Sequence, residues 1–88
     1  MLTVKASTQF KKDAKKAIKA GRPADKLTKV IQLLEREDSL PEKNHDHALT
    51  GNYKDCRECH IEPDWLLIYI VEGKVLRLVR TGSHSNLF

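Results

Sequence analysis

Cys56, Cys59 and His60 form the pattern C-x-x-C-H, which is the attachment motif of c-type haem. The same residues, together with His45 and His47, could instead bind a zinc ion. Covalent haem attachment takes place outside the cytoplasm, whereas the first residues of the chain lack the apolar stretch of a secretory signal. We therefore expect a cytoplasmic protein with reduced thiols, which weighs against haem.

The predicted secondary structure also separates the two cysteines. Residues 56–62 are predicted to form a strand, in which successive side chains point to opposite faces. Cys56 then shares a face with His60 and Glu62, whereas Cys59 points the other way. Because haem and zinc sites both need convergent sulfur atoms, we expect Cys59 to be a small buried hydrophobe. Zinc binding is kept as a minor alternative.

A second set of residues fits the chemistry of RNA cleavage without a metal: His60, Asp64, Arg80 and His84, with His47 in the preceding loop. One group must remove the proton from a ribose 2′-hydroxyl, and a second must protonate the leaving 5′-oxygen. A cation must stabilise the charge on the phosphate oxygens. Histidine suits either proton transfer near neutral pH, and arginine binds phosphate through two parallel hydrogen bonds. A nuclease is therefore one hypothesis from the residue types alone.

Purely structural roles stay open for two of the residues in this region. Arg80 could form an ion pair with a carboxylate such as that of Asp64. Trp65 could stack on a nucleotide base or belong to the core. Strict alternation along the last strand also places Arg80 on the same face as Leu76 and Leu78, so its side chain would have to emerge near the strand's end.

The strands that must position these side chains lie in the last third of the chain. Residues 56–62, 65–71 and 74–81 are predicted to form an antiparallel meander, because the linkers between them are short. The middle strand is apolar on both faces and is expected to be central. The polar residues 38–55 lack a period and are predicted to form a loop.

The first half of the chain predicts a short strand followed by two helices. The first helix is expected to begin after a capping residue, Ser7 or Thr8, and to bury one apolar stripe: Phe10, Ala14, Ala17 and Ile18. The second helix begins near Pro23 and buries a similar stripe: Leu27, Val30, Ile31 and Leu34. The expected fold class is α+β, with the N-terminal strand and a two-helix hairpin packed on a mostly antiparallel sheet of about four strands.

Composition fits one globular domain spanning residues 1–88, because 40% of the residues are hydrophobic and 32% are charged. Residues 1–30 carry nine basic and two acidic side chains, a balance of +7, whereas the rest of the chain has a balance of −3. This asymmetry suggests a polyanionic partner such as nucleic acid, although a solvated lysine-rich helix face would have the same composition. No apolar stretch approaches the roughly 18 residues of a membrane span.

Four sequence segments of the second half occur together in a fixed order: DHAL from Asp46 with Gly51, RECHIEPDWLLIY from Arg57, LRLVRTGSH from Leu76, and the terminal Leu87-Phe88. In order and spacing they resemble the C-terminal half of the YafQ branch of the RelE toxins, the toxic partners of bacterial toxin–antitoxin modules. The first half of the chain is similar to that family only in its pattern of elements. Cys56 departs from the family, whose members tend to carry an aromatic residue there.

The resemblance implies a RelE-like microbial RNase fold and a ribosome-dependent endonuclease that cuts mRNA in the A site without a metal or another cofactor. The family's functional set falls on seven residues of this sequence: His47, His60, Asp64, Trp65, Arg80, His84 and Phe88. His84 would be the general acid, and Arg80 would bind the scissile phosphate. The base would come from the group of His47, His60 and Asp64.

The family also implies how substrate and partners are bound. Trp65 and Phe88 would order the site or stack on nucleotides, and Lys11, Lys12 and Lys15 of the first helix would contact ribosomal RNA. A cognate antitoxin would neutralise the toxin, and the pair would bind operator DNA mainly through the antitoxin and repress transcription of its own operon. The alternatives are a non-catalytic binding module that acts only as a corepressor and, less favoured, a small zinc-binding protein.

Overall fold

A computed structural model describes all residues from Met1 to Phe88. The elements in chain order are β1 (Thr3–Ala6), α1 (Thr8–Lys19), α2 (Ala24–Glu35), β2 (His47–Ala48), β3 (Arg57–Glu62), β4 (Trp65–Glu72), β5 (Val75–Gly82) and α3 (His84–Leu87). Two 3₁₀ turns, Glu42–Asn44 and Gly51–Tyr53, flank β2. The α+β prediction is confirmed, with one more strand and one more helix than expected.

The five strands form one sheet in the order β1-β5-β4-β3-β2. The meander β3-β4-β5 is antiparallel as predicted, and β1 adds to its outer edge in parallel with β5. The strand missed by the sequence analysis is β2, which lies in the predicted loop and pairs only two residues, His47 with Glu58 and Ala48 with Arg57. Two residues give no usable periodicity, so such a strand is invisible to pattern analysis. No helix of the structure is both long and apolar enough to cross a bilayer.

Helices α1 and α2 cover one face of the sheet. Ser7 caps α1, since its Oγ accepts a hydrogen bond from the Phe10 amide (2.9 Å). The same hydroxyl donates to the Val79 carbonyl (2.8 Å), which attaches the start of the helix to β5. Phe10 and Ala17 are buried as predicted, but Ile18 is 43% exposed, because the stripe facing the sheet is narrower than the sequence pattern. In α2 three of the four predicted residues are buried: Leu27, Val30 and Leu34.

The sheet has two unequal apolar clusters, one on each face. The larger cluster lies under the helices and includes Trp65, Leu67 and Cys59, each fully buried. The smaller cluster, on what we call the open face, consists of Leu66, Ile68 and Leu87. The central strand β4 supplies residues to both clusters, which explains why its sequence is apolar without alternation.

Two irregularities in strand pairing change which way key side chains point. In β5, Leu78 pairs with Tyr69 and Arg80 pairs with Ile68, so that Val79 is an extra residue in a β-bulge. The expectation that Arg80 shares a face with Leu78 is therefore wrong, since its partner Ile68 belongs to the open face. In β3, a second register shift pairs Glu62 with Trp65.

That second shift also corrects the predicted position of Glu62. Its carboxylate lies on the helix side, 3.3 Å from the Lys26 ammonium and 3.7 Å from the Arg22 guanidinium. It does not share a face with His60, which pairs with Leu66 of the open face. Strict alternation fails here because a bulge inserts one residue without a partner.

The C-terminal residues form the short helix α3 on the open face. Ser83 caps it by accepting a hydrogen bond from the Asn86 amide (3.3 Å). The helix packs closely against the end of β5, since a Cβ atom at Gly82 would already lie 3.4 Å from side-chain atoms of both Asn86 and Leu87. Leu87 then packs on the open-face cluster. This packing fixes the positions of the residues at each end of α3.

Candidate active site

A row of four side chains crosses the open face of the sheet. The residues paired across it are His47 of β2, Glu58 of β3, Ile68 of β4 and Arg80 of β5. Directly paired residues of antiparallel strands point to the same face. The neighbouring row holds His60, Leu66 and Gly82. Four strands thus bring two histidines, a carboxylate and an arginine to one surface.

His60 lies between two other imidazoles. Its ring centroid is 5.4 Å from that of His45 and 5.9 Å from that of His84 on α3. The side chain of His60 is 19% exposed, and His84 is exposed. The backbone carbonyl of His60 accepts a 2.6 Å hydrogen bond from the Asn44 side chain, which attaches the preceding loop to β3. Because the rings of His60 and His84 are neighbours and both are accessible, the two side chains can contact one bound phosphodiester.

Glu58 is a component of the site that the sequence analysis did not assign to it. This carboxylate is only 3% exposed, and its Oε1 lies 3.5 Å from His47 Nε2 and 3.6 Å from His60 Nε2. His47 is held in turn by its Nδ1, 2.7 Å from the His45 carbonyl oxygen. A buried carboxylate is stable only when it is paired, and the two imidazoles are its partners here. Its place two residues before His60 on the same strand face was the available signal.

Arg80 is held by Asp13 of α1. Arg80 Nε and Nη2 donate to the two carboxylate oxygens at 2.9 and 3.1 Å. Asp13 also accepts from the Thr81 amide (3.3 Å) and from Gln9 Nε2 (2.9 Å). The structural partner of Arg80 is thus Asp13 and not Asp64, because α1 packs along β5 and its Asp13 lies at the strand end that carries Arg80 and Thr81.

The electrostatics of this pair follow from its hydrogen bonds. Burial acts to raise the pKa of Asp13, but the hydrogen bonds from Arg80, Gln9 and Thr81 outweigh it, and the pKa is lowered below its ordinary value of 3.8. The pKa of Arg80 is raised, first by the hydrogen bonds to Asp13 and to a smaller extent by the neighbouring Tyr53. Both groups are therefore charged at neutral pH.

Tyr53 and Phe88 complete the site on the side of α3. The Phe88 ring is 60% exposed, with its centroid 5.5 Å from that of Tyr53 and 5.9 Å from that of His84. The Tyr53 hydroxyl lies 3.4 Å from the Leu87 carbonyl oxygen and donates to it. Tyr53, in a stretch predicted to be a loop, was not identified from the sequence. The exposed ring of Phe88 offers a face on which a nucleotide base can stack.

Two predicted site residues lie elsewhere. Asp64 is at the tip of the β3–β4 turn, where its carbonyl accepts a hydrogen bond from Arg22 (3.1 Å), and its carboxylate forms no hydrogen bond or ion pair with the site residues above. Trp65 is fully buried under the helices, with the Arg22 guanidinium 5.5 Å from its ring centroid. A buried ring cannot stack on a nucleotide, so the structure favours the core alternative for Trp65.

The lysines of α1 divide into two groups. Lys12 and Lys16 line a groove of about 400 Å³ next to Arg80, together with Arg22. Lys11 and Lys15 are exposed but do not line this groove. Of the three lysines predicted from the sequence, only Lys12 is adjacent to the site. The face of α1 that lines the groove carries Gln9, Lys12, Asp13 and Lys16, which are three or four residues apart, and Lys11 and Lys15 are not on it.

The cysteines point in opposite directions, as predicted. Cys59 belongs to the cluster under the helices and Cys56 packs against the open-face cluster, and both are free thiols. Burial raises the pKa of Cys59 to about 12. The structure contains no group of three or more His, Cys, Asp or Glu side chains placed to hold a metal ion. The two sulfur atoms therefore cannot both bind the same haem or coordinate the same zinc ion.

Comparison with known proteins confirms the resemblance seen in the sequence. The family model described as "Bacterial toxin of type II toxin-antitoxin system, YafQ" matches residues 2–88. The mRNA interferase toxin YafQ of Escherichia coli strain K12 is 42% identical over 86 residues, which are 97% of this chain and 94% of the relative. The toxin in a crystal structure of the E. coli DinJ–YafQ complex is 40% identical, with a TM-score of 0.91 over 100% of this chain and 99% of that chain.

A second solved structure is similar over its whole length. The crystal structure of a metal-bound toxin from Helicobacter pylori is 47% identical to this chain, with a TM-score of 0.94 and 100% of both chains covered. Sequence identity at this level over a complete chain, together with the matching family model, defines the family. This chain belongs to the YafQ family of toxins from type II toxin–antitoxin systems.

Proposed function

We propose that this toxin is an endoribonuclease that cuts mRNA in the ribosomal A site, and that it does so without a metal ion. The observation that carries the proposal is the pair of imidazoles His60 and His84, 5.9 Å apart between ring centroids on the open face. One comes from a strand and the other from α3, next to the row that ends in Arg80. Two imidazoles and a guanidinium are the groups that 2′-hydroxyl attack on a phosphodiester requires.

In the proposed reaction His60 removes the proton from the 2′-hydroxyl, and the oxygen forms a bond to the adjacent phosphorus. The bond from phosphorus to the 5′-oxygen breaks, and His84 gives a proton to that oxygen. The products are a 2′,3′-cyclic phosphate and a 5′-hydroxyl. His60 is the better candidate for the base than Asp64, since Glu58 lies beside His60 and can stabilise the imidazolium formed when the ring accepts the proton.

Arg80 can bind the phosphate without leaving Asp13. A guanidinium has five N–H donors, and Asp13 uses only the Nε–H and one N–H of Nη2. Apart from a weaker interaction with Tyr53, the remaining donors can bind the scissile phosphate. Charge that develops on the phosphate oxygens is thus met by a cation whose orientation is already fixed, which lowers the reorganisation needed in the transition state.

Partners follow from the family. The E. coli DinJ–YafQ complexes contain a toxin of this family with its antitoxin, and we propose a cognate antitoxin for this chain as well, which neutralises it in the cytoplasm. The antitoxin would also carry the toxin to operator DNA as a corepressor. The excess of basic residues in the first thirty positions suits both an acidic protein segment and ribosomal RNA.

Primer extension on an mRNA incubated with the purified toxin tests the proposal. The toxin is treated with EDTA and dialysed before use, the reactions are run in Mg²⁺ buffer with and without translating ribosomes, and His84→Ala serves as the variant without the proposed acid. In-frame cuts that need ribosomes, are made by the EDTA-treated toxin and disappear in the variant are expected. Cuts on naked RNA would contradict ribosome dependence. Binding to antitoxin and operator without any cut would support the corepressor alternative.

A further inference from the structure

A groove of about 740 Å³ runs along the edge of the sheet on the far side of His60 from Arg80. Its walls come from α2, from residues 41–45 and from the end of β3. His60 and His45 are part of its lining, so the groove opens at the candidate active site. Its volume is in the range of ligand-binding pockets, which is roughly 300–1,000 Å³.

The groove combines free cations with an apolar floor. Lys26 is paired with Glu62, whereas no acidic side chain lies within ion-pair distance of Lys29 or Lys43. The apolar side chains of the lining, which we call the floor, are Val30, Leu33, Pro41, Ile61 and Pro63. Asp25, at the outer end near the start of α2, is the one acidic lining residue that forms no ion pair. Positive charge around an apolar surface suits a nucleotide, which has an anionic phosphate and a flat base.

The wall formed by residues 41–45 is held in a fixed conformation. The buried side chain of Asn44 bonds to the His60 carbonyl at 2.6 Å, at a part of the β3 edge that β2 does not reach. The next residue, His45, has a left-handed backbone with φ of 46°. This conformation is uncommon for a residue with a side chain, and it places the His45 ring against that of His60. Strained backbone of this kind concentrates at functional sites.

We propose that this groove binds the nucleotide on the 5′ side of the cleaved bond, with its base on the apolar floor and its 5′-phosphate between Lys29 and Lys43. The direction follows from the assignment of His60 as the base, because the nucleotide that supplies the 2′-hydroxyl must lie next to His60. The nucleotide on the 3′ side then lies towards His84 and the exposed ring of Phe88. This inference rests on the proposed function for the polarity of the strand, but the groove's affinity for RNA can be measured without cleavage.

The test compares Lys29→Ala/Lys43→Ala with Lys5→Ala/Lys74→Ala, which removes the same charge from exposed positions outside both grooves. The probe is a fluorescein-labelled hexanucleotide of single-stranded RNA with 2′-O-methyl groups on every sugar, which cannot be cut. Fluorescence anisotropy at several salt concentrations gives its Kd. The groove variant is expected to raise the Kd about tenfold and to reduce the slope of log Kd against log salt by about 0.7, because the two lysines share one phosphate.

Cleavage on translating ribosomes provides the second measurement. The groove variant is expected to lower kcat/KM about tenfold and to change the preferred base on the 5′ side of the cuts, while the control variant stays close to the wild type. The groove assignment would be overturned if the groove variant and the control variant changed the Kd and kcat/KM equally, or if neither variant changed them. Weaker antitoxin binding with unchanged RNA binding and cleavage would overturn it too. If the groove variant binds the hexanucleotide less well but the wild-type toxin never cuts RNA, the proposed function alone would be contradicted.

Discussion

Asp13 and Arg80 lie 67 residues apart in the chain and form a two-point ion pair between α1 and β5, with N–O distances of 2.9 and 3.1 Å. The pair joins the basic helix hairpin to the edge of the open face. It also sets the direction in which the remaining donors of Arg80 point. Asp13 is therefore a positioning residue for the cation of the proposed reaction, although it does not contact the substrate.

Asp13→Asn should lower kcat for cleavage on ribosomes about tenfold and change KM much less. An amide of the same shape cannot hold a guanidinium in place as firmly, and orientation matters most in the transition state. Single-turnover kinetics would separate the two parameters, with Asp13→Glu as a partial rescue. A variant that is more active than the wild type would contradict this role and show that Asp13 restrains Arg80.

The same pair predicts a pH dependence of stability. The folded-state pKa of Asp13 is lowered below 3.8, so its contribution is complete above the unfolded pKa and is lost as pH falls through the folded value. Urea midpoints at pH 6 and at pH 3 should show Asp13→Asn less stable than the wild type at pH 6, by about 1–3 kcal/mol. The difference should shrink at pH 3. A constant difference at both pH values would rule out the charge on Asp13 as its source.

Glu58→Gln should reduce kcat about tenfold with little change in fold stability, since glutamine has the same shape but cannot stabilise an imidazolium at His60. A double-mutant cycle with His60→Ala checks the mechanism, because the effect of Glu58→Gln should disappear when its partner is absent. An undiminished effect in the His60→Ala background would assign Glu58 to another role, such as holding His47.

The sequence predicted the elements of this fold well where the apolar pattern is long, as in α2 and β4. It failed where one residue decides the geometry. The bulge at Val79 reverses the face of Arg80, and nothing in a strand of alternating residues marks it. The strand β2, which carries His47, was missed because two residues are too few to show a period. The resemblance named three histidines and Arg80 as candidates, but it did not include the contacts that hold these side chains. Those contacts depend on tertiary packing and come from Asp13, Glu58, Asn44 and Tyr53.

Trp65 should matter for stability more than for chemistry. Trp65→Ala is expected to lower the free energy of unfolding by about 3–5 kcal/mol, because it removes the largest fully buried side chain of the core. Trp65→Phe keeps an aromatic ring in the core and should retain kcat per folded molecule. Urea unfolding and cleavage on ribosomes measure the two effects. A folded Trp65→Phe variant with a large loss of kcat would show that the indole has a role in the site.

The lysines of α1 should differ in effect according to the face on which they lie. Lys12 and Lys16 line the groove next to Arg80, whereas Lys11 and Lys15 do not. Lys12→Ala/Lys16→Ala should therefore raise KM on ribosomes more than Lys11→Ala/Lys15→Ala, by a factor of about five to ten, since cations close to the bound phosphates contribute most to affinity. Both variants lose two charges, so net charge is matched. Equal increases in KM would mean that α1 contacts ribosomal RNA through its whole exposed surface, as the resemblance implied for Lys11 and Lys15.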